Sequence, residues 1–435
     1  MQYQLGFKSD RVEANGNKVL PEDLAVHDWY RFVLSFPPHL VRHYLTRFGA
    51  SSQHIVLDPF CGTGTTLVEC KKLGIPAVGV EAHPMTHFAG QVKTDWTPDP
   101  TGLAKHAERI AAIAAETLKS DGISDPPARV VRNQPYRTLD TDSFGLLLKD
   151  SISARPLHKV LVLLDILNRY SDERYHEHEL LALAKAVVYS ISNLHFGPEV
   201  GLGYIKYDAP VISPWVSNIR TMCHDLQALQ QYDNSPTVSR LADSRNIVIV
   251  LEPRSIDIVI TSPPYPNEKD YTRTTRLESV LLGFIRNKAE LQGLKRNLLR
   301  SNTRNVYKGD NDDTWIDEYP EISHIAETIE NKRIALGKTS GFERLYAKVT
   351  RLYFGGMARH LADLRHVLRP GAQLAYVVGD QASYLRVMIR TGQLLAKIAQ
   401  SLGYELVGID LFRTRLATAT REQLREEVVL LRWRG

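Results

Sequence analysis

The sequence predicts an α/β fold built on an open, largely parallel sheet, and three observations carry that prediction. Ile258-Val259-Ile260 is a β-branched run suited to a strand buried on both faces, and Ser262-Pro263-Pro264 must end it, because neither proline can donate to a ladder. His54 to Gly64 (H-I-V-L-D-P-F-C-G-T-G) is a second buried-strand signal, ending in an acid and a glycine turn. The chain is 435 residues long with 43% hydrophobic residues, enough for an enlarged α/β domain with insertions.

Taken in order, residues 1–25 are a polar segment. His27 to Arg47 then carries an apolar face through Trp29, Phe32, Val33, Phe36, Leu40, Val41 and Tyr44, interrupted at Pro37-Pro38. The first strand leads into the glycine turn, a helix follows over Thr65 to Leu73, and Ala77 to Glu81 is a short strand ending in an acid. From Thr97 to about Ser239 the sheet pattern stops. Leu103 to Leu118, Val160 to Tyr170 and Glu179 to Leu194 read as packing helices, and Phe196 to Trp215, rich in glycine and proline, reads as a loop. The sheet is expected to resume at Ile247 to Leu251, behind Leu241-Ala242-Asp243. Beyond the Ile258 strand come a helix over Val349 to Leu368, a turn at Arg369-Pro370-Gly371, a strand over Gln373 to Val378, a helix over Val387 to Leu402, and a hairpin of Tyr404 to Phe412 with Glu427 to Trp433. The domains are thus a main α/β unit of 26–96, 240–265 and 346–435, a mainly helical insertion over 97–239, and a second insertion over 266–345.

Composition excludes several classes. No stretch approaches eighteen apolar residues and the N-terminus lacks the apolar core of a signal peptide, so a soluble, cytoplasmic protein without a membrane partner is expected. Cys61, Cys70 and Cys223 form neither a metal spacing nor a disulfide framework. His176-Glu177-His178-Glu179 lacks the one-turn histidine spacing of a zinc helix, and no metal is expected. The net charge of +5 is mild, but its distribution is not. Lys269 to Lys308 holds ten basic residues against three acidic ones, and Asp310 to Glu330 holds eight acids and no Lys or Arg. The basic half adjoins Ser262 to Tyr265, so a polyanion track is inferred through Arg273, Arg276, Lys295 and Arg296.

The two strand ends have distinct chemistry. Gly62 and Gly64 let backbone approach a ligand, and the following helix points its N-terminus there. The dinucleotide fingerprint fails, because Leu67 stands where its third glycine belongs. Asp58 suits a cationic ligand group, and Glu81, at the end of the second strand, suits paired ribose hydroxyls. Ser262 and the Pro263 carbonyl, held by Pro264, are two acceptors beside the Tyr265 ring, which suits a flat base bearing an exocyclic amine.

Asp58-Pro59-Phe60-Cys61-Gly62-Thr63-Gly64-Thr65 with Thr261-Ser262-Pro263-Pro264-Tyr265 resembles the paired signature of the S-adenosylmethionine-dependent DNA amino-methyltransferases, of the N4-cytosine type. The resemblance covers roughly Trp29 to Glu81 and Arg240 to Trp433. It implies a Rossmann-like, seven-stranded class I methyltransferase sheet, with motifs in unpermuted order. It implies S-adenosylmethionine held by Asp58, Phe60, Gly62, Gly64, Thr65 and Glu81, by Asp243 near the adenine, and by Ser35, Phe36 and Pro37 over the methionine end. Catalysis would fall to Ser262, Pro263, Pro264 and Tyr265 acting on a base flipped out of double-stranded DNA, with a cognate restriction endonuclease as a further partner. N6-adenine methylation, guanine-N2 methylation of transfer RNA and an inactive DNA-binding subunit stay open as alternatives.

Overall fold

The structure, a computed structural model, describes residues 19–30, 36–125, 135–196, 199–232, 235–267, 269–416 and 423–435. Nine strands are described among them: β1 Val56–Asp58, β2 Ala77–Glu81, β3 Leu194–Phe196, β4 Val200–Leu202, β5 Thr237–Leu241, β6 Ile256–Thr261, β7 Leu368–Gly379, β8 Glu405–Leu416 and β9 Gln423–Arg432. Seven of them make one sheet in the order β5-β2-β1-β6-β7-β9-β8. β5, β2, β1, β6 and β7 are parallel, and β9 runs antiparallel between β7 and β8. This is the seven-stranded Rossmann-like sheet the sequence predicts. Strand order reverses between β1 and β6, so both motif strands deliver their C-terminal ends to the switch point where such sheets bind ligands.

Burial explains the central strands. Val56, Leu57, Ile258, Val259 and Ile260 are all buried, as a strand covered on both faces requires. The edge strand departs from expectation. The sheet resumes at Thr237–Leu241, whereas Ser244–Ile249 is a 3-10 turn capped by the Asp243 carboxylate. An edge strand has one neighbour and tolerates the polar Thr237, Ser239 and Arg240. In the apolar run Ile247 is buried, but Val248 and Ile249 face solvent. β7 likewise begins earlier than the Arg369-Pro370-Gly371 turn suggests, since Gly371, at φ 91°, bends the strand while its N–H reaches the Trp433 carbonyl at 2.6 Å.

Helices Pro100–Ser120, Ala154–Arg169, His176–Ala186 and Ile212–Leu229 share one apolar cluster with Trp29, Met85, Phe88 and Val92. The last of these begins inside the expected loop. Its signal was Trp215, Ile219, Met222, Leu226 and Leu229 at helical spacing, hidden behind the glycines and prolines before it. Phe196 to Trp215 also holds half of the β3–β4 pair. His178 Nε2 donates to the Asp95 carbonyl and Glu179 pairs with His106, so both serve packing.

The second insertion is keyed to the core. Ile316, Ile322 and Ile329 bury against helix Tyr346–Leu364. The backbone of Asp312 lies so close to Gly355 that a Cβ there would overlap its carbonyl. Among the described residues, no helix is long and apolar enough to cross a membrane.

Candidate active site

A cleft enclosing about 960 Å³ of non-atom space, part of it open to solvent, lies at the C-terminal ends of β1, β2 and β6. Phe36, Phe60, Gly62, Thr65, Glu81, Asp243, Ser262 and Pro264 all line it, so one cleft gathers residues that lie far apart in sequence. Ser35 falls outside the described residues. Pro37 caps helix Pro38–Arg47, next to Phe36.

The turn is built by backbone. Cys61 N donates to the Val80 carbonyl at 3.0 Å and Gly64 N to the Cys61 carbonyl at 2.7 Å, which ties the turn to β2. Gly62 (φ 51°) and Gly64 (φ 84°) both occupy the left-handed region, but their surroundings differ. A Cβ on Gly62 would meet nothing within 4 Å, whereas one on Gly64 would meet Gly90 Cα at 3.2 Å. Gly64 is therefore not a cleft residue; it allows close packing of helix Thr65–Lys72 on helix Pro84–Thr94.

Glu81 sits on the cleft wall, its carboxylate accepting from Gly62 N and His83 N, each at 2.8 Å. Burial pushes its carboxyl up to about 7 despite those two bonds. Asp58 departs from expectation. It is fully buried, does not line the cleft, and accepts from Thr261 Oγ1 at 2.6 Å, Thr66 Oγ1 at 2.7 Å and Phe60 N at 3.1 Å. Burial raises it to about 6, against the pull of those donors. A carboxylate so engaged locks β1 to β6 and to the following helix.

Asp243 reaches the cleft already paired, its carboxylate 2.6 Å from the Arg245 guanidinium. Arg245 also grips Asp312 at 2.5 Å and the Arg296 carbonyl at 3.1 Å. Phe60 stands edge-on to His360, which bridges the Ser244 carbonyl and the Tyr376 hydroxyl.

At the end of β6, Ser262 Oγ donates to the Val377 carbonyl at 3.2 Å and shares a hydrogen bond with the Tyr265 hydroxyl. The Tyr265 ring packs over Gly379, where a Cβ would stand 2.9 Å from its Cε2. Pro263 is buried and Pro264 lines the cleft.

The cleft has a further wall that sequence reasoning missed. Asn297, Leu298, Leu299, Ser301 and Asn305, all inside the basic run, close one side of it, and His83 and Tyr271 line it too. Arg300 staples that wall, its guanidinium donating to the carbonyls of Lys295, Arg296 and Leu298 and to Asp310. The Asn305 side-chain carbonyl is buried without a partner, as is His83 Nδ1.

The wall also corrects the polyanion track. Arg276 is 9% exposed and bonds the Thr272 and Leu146 carbonyls, while Lys295 pairs with the buried Asp270 at 3.0 Å. Both are turned inward, because acceptors distant in sequence meet them there. Arg273 is half-buried with its Nε unpartnered, and Arg296 is exposed, its guanidinium over the Tyr307 ring.

Comparison with known proteins follows the same line. The family profile for N6- and N4-type methyltransferases, described as DNA methylase, matches residues 11–87. Type II methyltransferase M.BsoBI of Geobacillus stearothermophilus is 25% identical over 455 residues, covering 98% of this chain and 87% of that protein. Type II methyltransferase M.AvaI of Nostoc is 23% identical over 464 residues, covering 97% and 88%. Type II methyltransferase M.MjaII of Methanocaldococcus jannaschii is 38% identical over 69 residues, which is 16% of this chain and 13% of that protein. The solved structure of TrmN from Thermus thermophilus aligns with 91% of this chain and 48% of its own at 11% identity and a TM-score of 0.30, too loose to bear on the fold. With the paired motifs at the switch point of the sheet, these matches make the chain a relative of the DNA amino-methyltransferases.

Proposed function

We propose that the protein methylates DNA at the N4 amine of cytosine, by direct transfer from S-adenosylmethionine to a base turned out of the duplex. Methyl transfer to DNA follows from the family; the choice of amine rests on Ser262. Its hydroxyl hydrogen is directed at the Val377 carbonyl. The oxygen, which also shares a hydrogen bond with the Tyr265 hydroxyl, keeps a lone pair, which is what accepting an N–H from an exocyclic amine requires.

The cleft suits the cofactor on its own chemistry. Gly62 leaves bare backbone where a side chain would intrude, and Glu81 presents a carboxylate to ribose hydroxyls. Phe60 and Phe36 supply apolar wall, Thr65 borders the turn, and Asp243 stands across from them. Asp58 and Gly64 position the turn from behind. When bound, the cofactor supplies an electrophilic methyl group on a sulfonium. Ser262 and the Pro263 carbonyl accept hydrogen bonds from the two N–H groups of the target amine, which draws its lone pair out of conjugation with the ring and aims it across the cleft. Tyr265 stacks on the extruded base, and Pro264 fixes the Pro263 carbonyl. The nitrogen gains a methyl group and releases one proton to solvent, with no covalent intermediate on the enzyme. Duplex DNA, a cognate restriction endonuclease and a cytoplasmic setting complete the reading.

Mass spectrometry of nucleosides from DNA incubated with the protein and isotopically labelled cofactor tests it. N4-methylcytosine is the expected product. Labelled N6-methyladenine would overturn the cytosine assignment, and an absence of labelled nucleoside would overturn the reading altogether.

A further inference from the structure

Two tyrosines on the segment after β4 have no role in the fold. Tyr204 is 92% exposed and Tyr207 79% exposed, with Leu202 and Ile205 also open to solvent. Such rings are ordinarily covered. They are not on loose chain. Gly203 N donates to the Asn193 carbonyl and Lys206 N to its side-chain oxygen, each at 2.7 Å, and Lys206 Nζ reaches the Ser190 carbonyl at 2.9 Å. Asn193 is itself buried and bonded to the Asp150 carbonyl and Ser153. Asp208 is clamped by Arg155 at 2.6 Å and by the buried Lys159 at 2.7 Å. The backbone is thus pinned on both sides of each ring while the rings face outward, which removes most of the ordering cost of a contact made there.

The segment is also tied toward the cleft. The Ser190 carbonyl that holds Lys206 belongs to the turn Val187–Ile191, and that turn packs against helix Arg276–Leu281, which follows the cleft residue Tyr271 in the chain. Lys206, between the two tyrosines in the chain, forms no salt bridge among the described residues. Outward aromatic rings with a lysine between them suit a polyanion that carries flat apolar faces.

Resting on the reading above, we propose that Tyr204 and Tyr207 form a stacking platform for unpaired or exposed bases of the DNA strand next to the flipped nucleotide. Contact by ring faces holds the distorted duplex without reading its phosphates. A protein occupant, such as a second copy of this chain, is the competing possibility, and the test separates them.

Tyr204→Ala, Tyr207→Ala and the double variant are compared with wild type for binding of a fluorescent duplex across a salt series, for S-adenosylmethionine affinity, and for sedimentation without DNA. Each single change should weaken DNA binding about tenfold or more, since a base stacked on an aromatic ring is worth about 1–3 kcal/mol. The slope of log affinity against log salt should not change, because no phosphate contact is lost. Tyr204→Phe and Tyr207→Phe should bind as wild type. Wild-type DNA affinity in the double variant would overturn the platform, as would a fall in the salt slope. So would a wild-type oligomer that the substitutions dissociate while DNA affinity is kept. If wild-type protein itself fails to bind DNA, the methyltransferase reading falls first.

Discussion

The two glycines of the turn look alike in sequence and differ in the structure, so the same substitution at each should fail in different ways. Asparagine is the informative replacement, since it enters the left-handed region at little cost and the backbone term stays small at both sites. At Gly64 the new Cβ would stand 3.2 Å from Gly90 Cα, which is backbone and cannot swing away. Overpacking of that kind costs about 1–3 kcal/mol, so Gly64→Asn should lower the thermal midpoint of the ligand-free protein by up to several degrees. Cofactor affinity of the folded variant should stay within a few-fold of wild type. At Gly62 nothing lies within 4 Å of the new atom, and the side chain enters the cleft beside Glu81. Gly62→Asn should therefore keep the midpoint and lose at least tenfold in S-adenosylmethionine affinity, about 1.4 kcal/mol. Calorimetric titration and ligand-free melting measure both quantities. A Gly64→Asn protein that melts like wild type yet no longer binds would refute this division of labour, as would wild-type affinity in Gly62→Asn.

Three further outcomes are expected. Glu81, held up to about 7 by burial, contributes stability that is present below its ordinary value of 4.5 and is lost as pH rises through about 7. Glu81→Gln should thus gain stability over wild type above pH 7, while wild-type cofactor affinity, which needs the charged carboxylate, should climb across that interval and the variant's should stay flat. Glu278, raised to about 7 by burial against the pull of the Tyr30 hydroxyl, and Asp58, raised to about 6, add pH dependence of melting common to both proteins. Ser262→Ala should fold, bind cofactor and slow single-turnover methyl transfer tenfold to a hundredfold, the worth of a bond of about 1–3 kcal/mol to a desolvated amine; unchanged turnover would leave Ser262 a turn residue. Arg276→Ala and Lys295→Ala should reduce stability with no change in the salt slope of DNA binding, whereas alanine at exposed Arg286, Lys288, Arg296 and Lys308 should flatten that slope, which DNA-binding titrations at four salt concentrations would read.

How much of this was legible in sequence depended on how local its cause is. The glycine turn and the Ser-Pro-Pro stop are written by the residues that make them, since φ at Gly62 and the missing donors of Pro263 and Pro264 need no distant partner. Strands β1 and β6 could be read because burial on both faces demands an unbroken apolar run. β5 could not, because an edge strand is selected by pairing with β2 and leaves its own composition polar. The basic run misled for a similar reason. Charge is a property of the residue, but exposure is set by what folds against it, and Asp270, Asp310 and a row of carbonyls draw Lys295, Arg276 and Arg300 inward. The excess of positive charge counted along the chain therefore overstates what the surface presents, and part of it holds the cleft wall instead.

Asp58 is where the two accounts part most sharply, and it also explains why the two motifs work as a unit. Its carboxylate takes Thr261, the residue before Ser262, on one oxygen and Thr66 of the helix after the glycine turn on the other. The first motif thereby fixes the position of the second, and a displacement of β6 would move Ser262 away from the cofactor cleft. If Asp58 served instead as counter-ion to a cationic ligand group, removing its charge would abolish binding. In the network seen here the charge matters less than the acceptors. Asp58→Asn can turn its amide toward Thr66, whose hydroxyl already lies 3.3 Å from the Ile260 carbonyl and can donate there. That variant should lose about 1 kcal/mol of stability and keep cofactor affinity within a few-fold. Asp58→Ala strands Thr261 and the Phe60 N–H together, at about 1–3 kcal/mol each, while Thr66 falls back on the Ile260 carbonyl, and it should unfold at markedly lower temperature. A well-folded Asp58→Asn protein with hundredfold weaker S-adenosylmethionine binding would restore the direct-ligand role that the sequence alone suggests.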